Sequence, residues 1–237
     1  MEQTKMKYYQ VAMSSEPKII GVNNGVYQVE LDKRNVDTNN EEYQKFIEWF
    51  NYDNPDFWTK QEVVQTLKSP VIKSILLKKA KITDLMSYAP QYHCLYNIYS
   101  EKFINILKAF NIGDYSLFDF EIKDVSEKYY LMFIKTIPSS ELIYDKSIIY
   151  TGNKFLNNVK YLPVNNYQDY LDLNKDEGLL TNFEKITISK EHYGKDIIEV
   201  QVTSKPYYSE KLVDFLLDCG ITGLEIKYNN TIELEFV

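Results

Sequence analysis

With 237 residues, 44% of them hydrophobic and 26% charged, the chain can bury a core without metal or disulfide staples, and its composition excludes wholesale disorder. A formal net charge of -7 argues against a general nucleic-acid binder, which needs clustered cations to displace counterions from phosphates. A basic protein partner fits that charge, although an acidic balance also simply keeps a cytoplasmic protein in solution.

The first ten residues, MEQTKMKYYQ, lack the apolar stretch of a secretory signal. Residues 6–12 are tyrosine-rich and β-prone. Residues 25–31 alternate Val26, Tyr27, Val29 and Leu31 with polar neighbours, which predicts an opening hairpin or meander. The polar stretch DTNNEE begins a helix in which Tyr43, Phe46, Ile47 and Phe50 form one apolar stripe. Thr59 can cap a short helix carrying Val63, Val64 and Leu67, and Pro70 suits the first turn of a helix over VIKSILLKKA.

From about Lys81 the rhythm turns to strands separated by single helices. Strands are predicted over residues 95–98, 115–122, 128–137, 147–150, 185–189, 196–203, 223–228 and 231–236. The polar segment 165–178 reads as a surface loop with one helical turn at most. The apolar run from Tyr129 to Ile134 is far too short to span a bilayer, so no membrane association is expected and the cytoplasm is the expected location. No Gly/Ser or Pro linker divides the chain. The expected fold class is therefore α+β: a mostly antiparallel or mixed sheet with helices packed on it, one domain over 1–237, with a helical amino-terminal subregion over 1–78.

The phrase YSEK occurs twice, at Tyr99 to Lys102 and at Tyr208 to Lys211. At an offset of 109, Phe103, Ile106, Leu107 and Phe110 fall on Leu212, Phe215, Leu216 and Cys219, the helical i, i+3, i+4, i+7 pattern in both copies. Ser100 and Ser209 are then N-caps and Glu101 and Glu210 sit at the positive end of a helix dipole. Asn111 and Gly220 share the position that tolerates a left-handed stop. Cys219 on this stripe is a small apolar filler. Lys81-Ile82-Thr83 and Lys185-Ile186-Thr187 extend the match at a different offset, so duplication with insertions stands beside chance as an explanation. At the carboxyl end, a three-residue loop over 229–231 would pair Tyr228 with Ile232, Ile226 with Leu234 and Lys227 with Glu233, placing both apolar sets on one face, with Asn230 or Thr231 near the left-handed region and Asn230 preferred.

Catalytic patterns are absent. His93 and His192 are the only histidines, and His93 beside Cys94 on a strand would point to the opposite face. Cys94 and Cys219 form neither a disulfide framework nor a zinc site, and no GxGxxG or P-loop occurs, so no cofactor or metal is expected. The most distinctive polar-aromatic stretch is Tyr52-Asp53-Asn54-Pro55-Asp56-Phe57-Trp58. A turn that displays aromatics among acids offers a partner an anchor and a charge pattern together; the alternative is a helix connection whose Phe57 and Trp58 tuck inward. Asp169, Tyr170, Asp172, Asp176 and Glu177 form a second candidate surface, with a solvated loop as its alternative.

The runs KAKITDLMSYAP, IYSEKFINILKAFNI, KYYLMFIKTI, IYDKSIIY and YYSEKLVDFLLDCGITGLEI together resemble a bacterial family of immunity-protein-like domains encoded near polymorphic toxins. The resemblance covers roughly residues 79–228 in a family-like core over 79–237, and its motifs are caps, core positions and turns, so no active site is carried across. It implies a cytoplasmic, non-enzymatic protein that binds a cognate toxin domain and blocks it without turnover. The candidate contacts are Tyr52, Asp53, Asp56, Phe57, Trp58, Asp169, Tyr170 and Asp172. The oligomeric state is open. The competing readings are a carboxylate-based hydrolase or transferase whose acids converge only in the fold, and a ligand-binding or structural module.

Overall fold

A computed structural model describes residues 6–23, 25–32, 34, 39–68, 70–175 and 180–237. In chain order the elements are β1 (Tyr8–Met13), α1 (Pro17–Ile20), β2 (Val29–Leu31), α2 (Glu41–Trp49), β3 (Ile72–Leu76), β4 (Leu85–Tyr92), β5 (Leu95–Ser100), α3 (Glu101–Leu107), β6 (Tyr115–Ile122) and β7 (Tyr129–Ile134). They continue as β8 (Ile148–Thr151), β9 (Lys160–Leu162), α4 (Tyr167–Asn174), β10 (Thr181–Ile188), β11 (Ile197–Ile198), β12 (Tyr207–Ser209), α5 (Glu210–Asp218), β13 (Leu224–Lys227) and β14 (Glu233–Phe236). The fold is α+β. One group of strands closes a barrel in the order β2-β3-β6-β7-β5-β4, and two open sheets run β11-β12-β1-β13 and β14-β10-β8-β9.

Both YSEK phrases start helices. Ser100 Oγ accepts the Phe103 amide at 3.1 Å, and Ser209 Oγ accepts the Leu212 amide at 3.3 Å. Phe103, Leu107, Leu212 and Leu216 are all buried. The likeness goes well beyond the helices. In one unit β5 pairs Ser100 with Tyr129 and Tyr99 with Tyr130 of β7; in the other β12 pairs Ser209 with Tyr8 and Tyr208 with Tyr9 of β1. The β6–β7 pairs Tyr115 with Ile134 and Leu117 with Met132 return as the β13–β1 pairs Leu224 with Met13 and Ile226 with Val11. Likewise Leu85 opposite Tyr99 matches Ile197 opposite Tyr208.

The repeat is therefore a whole ββαββ unit present twice in the same register. The second copy takes its last strand, β1, from the other end of the chain. Both copies feed one core at matched positions: Leu85 and Ile197, Tyr99 and Tyr208, Phe103 and Leu212, Leu107 and Leu216. Lys81 to Thr83 and Lys185 to Thr187 are not equivalents, since the latter three lie within β10. Nor do the helices stop alike: Gly220 has φ +65° but Asn111 is not left-handed. Cys219 is half-buried against the shared core.

Other expectations give way to long-range pairing. The stretch 71–80 is not a helix. Ile72 and Ser74 of β3 are buried at a period of two, because the strand is held between β2 and β6. β1 and β2 do not pair as a hairpin, since they belong to different sheets. The short 3-10 helix Gln61–Thr66 follows Lys60, and Thr59 instead donates its hydroxyl to the Asp56 carbonyl at 3.2 Å. The α2 cap is Asn40, which accepts from the Glu42 and Tyr43 amides; the expected start at Asp37 lies outside the described residues. Residues 196–203 hold only the two-residue β11 and an isolated Ile137–Val200 bridge. Segment 165–178 contains the two turns of α4.

The carboxyl-terminal hairpin does not form. β13 pairs with β1, while β14 runs parallel to β10 with Leu234 opposite Ile186. Asn230 is not left-handed. It bridges to β1 instead, accepting the Gln10 amide at 2.8 Å and donating to the Tyr8 carbonyl at 2.8 Å. Lys227 pairs with Glu225 rather than Glu233.

Candidate functional site

The stretch after α2 is built by local polar chemistry around one buried ring. Asn51 Oδ1 accepts the Asp53 amide at 3.1 Å and Asn54 Oδ1 accepts the Asp56 amide at 3.0 Å, two successive Asx turns. Asn54 Nδ2 also donates to the Trp49 carbonyl at 2.9 Å, tying the turn back to α2. These bonds hold Asp53 and Asp56 out in solvent. Phe57 goes the other way. It is fully buried, 4.7 Å from the His93 ring and 5.8 Å from Phe133. Phe57 is therefore an anchor of the barrel core, and a partner cannot touch it; large aromatic rings gain most when fully withdrawn from water.

Trp58 is half-buried, edge-on to His93 at 5.3 Å. Tyr52 is 62% exposed, with its ring 4.8 Å from His93. Beside this corner, α2 and the segment 63–68 flank a groove of about 830 Å³. Its walls carry Glu41, Glu42, Glu48, Asp53 and Asp56 against Lys45 and Lys68. Two of the acids are internally paired: Glu42 with Lys68 at 2.7 Å and Asp56 with Lys60 at 2.8 Å. The groove keeps a net negative lining, and Trp49 supplies an apolar side to it.

His93 and Cys94 are not poised for chemistry. Burial lowers the His93 pKa, keeping the ring neutral near pH 7, and its Nδ1 has no hydrogen-bond partner among the described residues. Burial pushes the Cys94 thiol up to about 12, so it holds its proton at neutral pH.

The second candidate surface sits on a different core. Tyr170 of α4 is half-buried and stacks on Tyr144 at 5.3 Å, with Phe183 at 5.7 Å. Asp169 accepts the Asn165 amide at 2.9 Å, a capping role. Asp172 binds Lys175 at 2.6 Å and Gln168 at 3.0 Å, and these bonds hold its carboxyl below the usual range. Asp176 and Glu177 lie outside the described residues. The fold thus packs Phe57 and Trp58 against the barrel core and Tyr170 against the core of Tyr144, Phe183 and Ile186, while Tyr52, Asp53 and Asp56 stay exposed.

Two features were not anticipated. Glu199 lines a crevice of about 310 Å³ together with Trp58, Glu62, Asp114, His192 and Lys195. Glu199 is half-buried; its carboxyl accepts the Thr136 hydroxyl at 3.0 Å, and burial pushes its pKa up to about 7. The one signal for it was a carboxylate inside the apolar run Ile197-Ile198-Glu199-Val200. In addition, Phe155 is 96% exposed and Leu156 71% exposed at the tip of the β8–β9 connection. Two apolar residues set between Asn153 and Asn157 were the sign of that displayed tip.

Among the described residues no group of three His, Cys, Asp or Glu side chains could hold a metal ion, and no helix is long and apolar enough to cross a membrane. No protein-family profile matches the chain, and neither a curated protein nor a solved structure matches it.

Proposed function

We propose that the chain is an immunity-type binding protein that neutralises a basic bacterial toxin domain in the cytoplasm by direct contact, without turnover. The observation that carries this reading is the acidic groove beside the exposed Tyr52. A largely exposed tyrosine next to an excess of carboxylates offers an amphipathic anchor and long-range attraction to a cationic surface at once. The net charge of -7 adds to that attraction. The resemblance of residues 79–228 to immunity-protein-like domains supplies the kind of partner. The displayed Phe155 and Leu156 tip is a second apolar contact available to such a protein.

The test is capture of the products of the genes adjacent to this chain's own, followed by the same capture with Tyr52→Ala combined with Asp53→Lys. Loss of binding with an unchanged circular-dichroism spectrum supports the reading; full retention sinks it. The enzymatic alternative draws on Glu199, whose raised pKa in a crevice is a feature of catalytic carboxylates. Turnover of any substrate that disappears in Glu199→Gln would favour it.

A further inference from the structure

We infer that the last strand position of the second ββαββ unit is an exchangeable slot, held by β1 in this structure and open to β14. In the first unit the slot beside β6 is filled by the next strand along the chain, β7, through residues 123–128. In the second unit the next strand is β14, joined to β13 by residues 228–232, yet it lies in another sheet. The strand in the slot comes instead from the amino end.

The register shows that β14 fits. β1 places Met13 opposite Leu224 and Val11 opposite Ile226. A hairpin closed through a three-residue loop at 229–231 would place Phe236 opposite Leu224, Leu234 opposite Ile226 and Ile232 opposite Tyr228. Leu234 then replaces Val11 and Phe236 replaces Met13, with the apolar phase towards the shared core unchanged. The same hairpin satisfies every local rule of strand alternation and loop length.

What keeps β14 out is equally specific. The exchanged register puts Glu233 where Gln10 now sits, and that position is buried, with Gln10 2% exposed. A carboxylate there would lose its solvation. Gln10 also clamps the very segment that would have to turn: its Oε1 accepts the Thr231 amide at 2.8 Å and the Thr231 hydroxyl at 2.7 Å. On the other side, Glu235 is held on β10 by Lys185 at 2.8 Å and Thr187 at 3.2 Å. These polar contacts add to the packing of Ile232, Leu234 and Phe236 on the core of Ile186 and Ile188 in holding β14 on β10. Displacing β1 therefore closes the second unit with β14 and uncovers the β10 edge, where unpaired strand groups are a template for another chain.

The test uses the full chain with Cys94 and Cys219 replaced by alanine and reporter cysteines in place of Ile226 and Leu234, which stand in different sheets here. Gln10→Pro removes the clamp and the amide that donates to Asn230 Oδ1, and Gln10→Ala removes the clamp alone. The expected result is a folded chain in both variants. Intrachain 226–234 cross-linking should rise from the parent through Gln10→Ala to Gln10→Pro, with the last at least about tenfold above the parent. Hydrogen exchange should quicken across residues 186–188 in step. Global unfolding of Gln10→Pro, a folded Gln10→Pro without the cross-link, or a cross-link between two chains would each overturn the proposal.

Discussion

Ser100 and Ser209 do the same three things at equivalent points of two units. Each caps its helix, each donates its own amide to the backbone carbonyl of an aspartate, and each donates its hydroxyl to that aspartate's carboxylate: Ser100 to Asp84 at 2.7 Å, Ser209 to Asp196 at 2.6 Å. The second oxygen of each aspartate reaches across to the other unit. Asp84 Oδ2 accepts the Thr222 amide at 2.9 Å, beyond α5, and Asp196 Oδ2 accepts the Asn111 amide at 2.8 Å, beyond α3. Each helix start is thereby fastened to the far end of the other helix.

The two serines are not energetically equal, because Asp196 is 0% exposed while Asp84 is only partly buried. Ser100→Ala should cost about 1 kcal/mol, the usual value of a lost cap. Ser209→Ala should cost about 2–3 kcal/mol, since it also removes a donor from a carboxylate that water cannot reach. Urea midpoints of the two variants check the order; a larger loss for Ser100→Ala would contradict it.

The two capped helices were legible because their signals are local: a serine, a glutamate on the first turn, an apolar stripe at 3.6-residue spacing. So was the strand content of β6, β7 and β8. The pairing partners were not. β1 joins β12 and β13 from the opposite end of the chain, and no local pattern encodes contacts at that separation. The carboxyl-terminal hairpin fails for the same reason: β13 pairs with β1 and β14 with β10, and the residues of both strands are nearly all half-buried rather than alternating. Residues 71–80 carried apolar spacing compatible with either period, and the neighbouring β2 and β6 decided for a strand. At the candidate site the acids were visible in the sequence. Which rings face solvent was not, because the inward turn of Phe57 depends on Phe133 and His93, far along the chain.

Glu199 makes stability depend on pH in the direction opposite to a salt-bridged carboxylate. Its folded pKa of about 7 lies above the ordinary value of 4.5, so the folded chain keeps a proton that the unfolded chain has released. Its contribution is therefore most favourable below about pH 4.5, weakens as the pH rises through 7, and is then constant. A difference of that size corresponds to about 3 kcal/mol of lost stability at most, since the group is only half-buried. Glu199→Gln, which keeps the Thr136 contact, should raise stability at pH 8 and leave it nearly unchanged at pH 4.5. Chemical denaturation at both values decides it; equal effects at the two would refute the assignment.

If the acidic groove steers a basic partner, its carboxylates act at a distance and should show in the association rate. Glu48→Gln with Asp53→Asn removes two charges from the lining without touching the Glu42–Lys68 or Asp56–Lys60 pairs. Association should slow several-fold at low salt, and the difference should shrink once ionic strength brings the Debye length to about 8 Å, while dissociation stays nearly constant. Stopped-flow mixing at three salt concentrations provides the measurement. A change confined to dissociation would mean short-range contacts rather than steering.

Tyr52 and Phe57 stand five residues apart with opposite duties, and substitution should separate them. Phe57→Ala empties a site enclosed by Phe50, His93 and Phe133 and should cost about 3–5 kcal/mol. Tyr52 is 62% exposed and the chain gives it little to lose, so Tyr52→Ala should change stability by no more than about 0.5 kcal/mol. Partner affinity should respond the other way at a temperature where both variants are folded: Tyr52→Ala weakens it by about tenfold or more, as removal of an anchoring aromatic does, and Phe57→Ala leaves it within a few-fold. Thermal melts and titration calorimetry on the same two samples check both halves. If Tyr52→Ala bound the partner with unaltered affinity, the surface around Tyr52 would have no role in recognition.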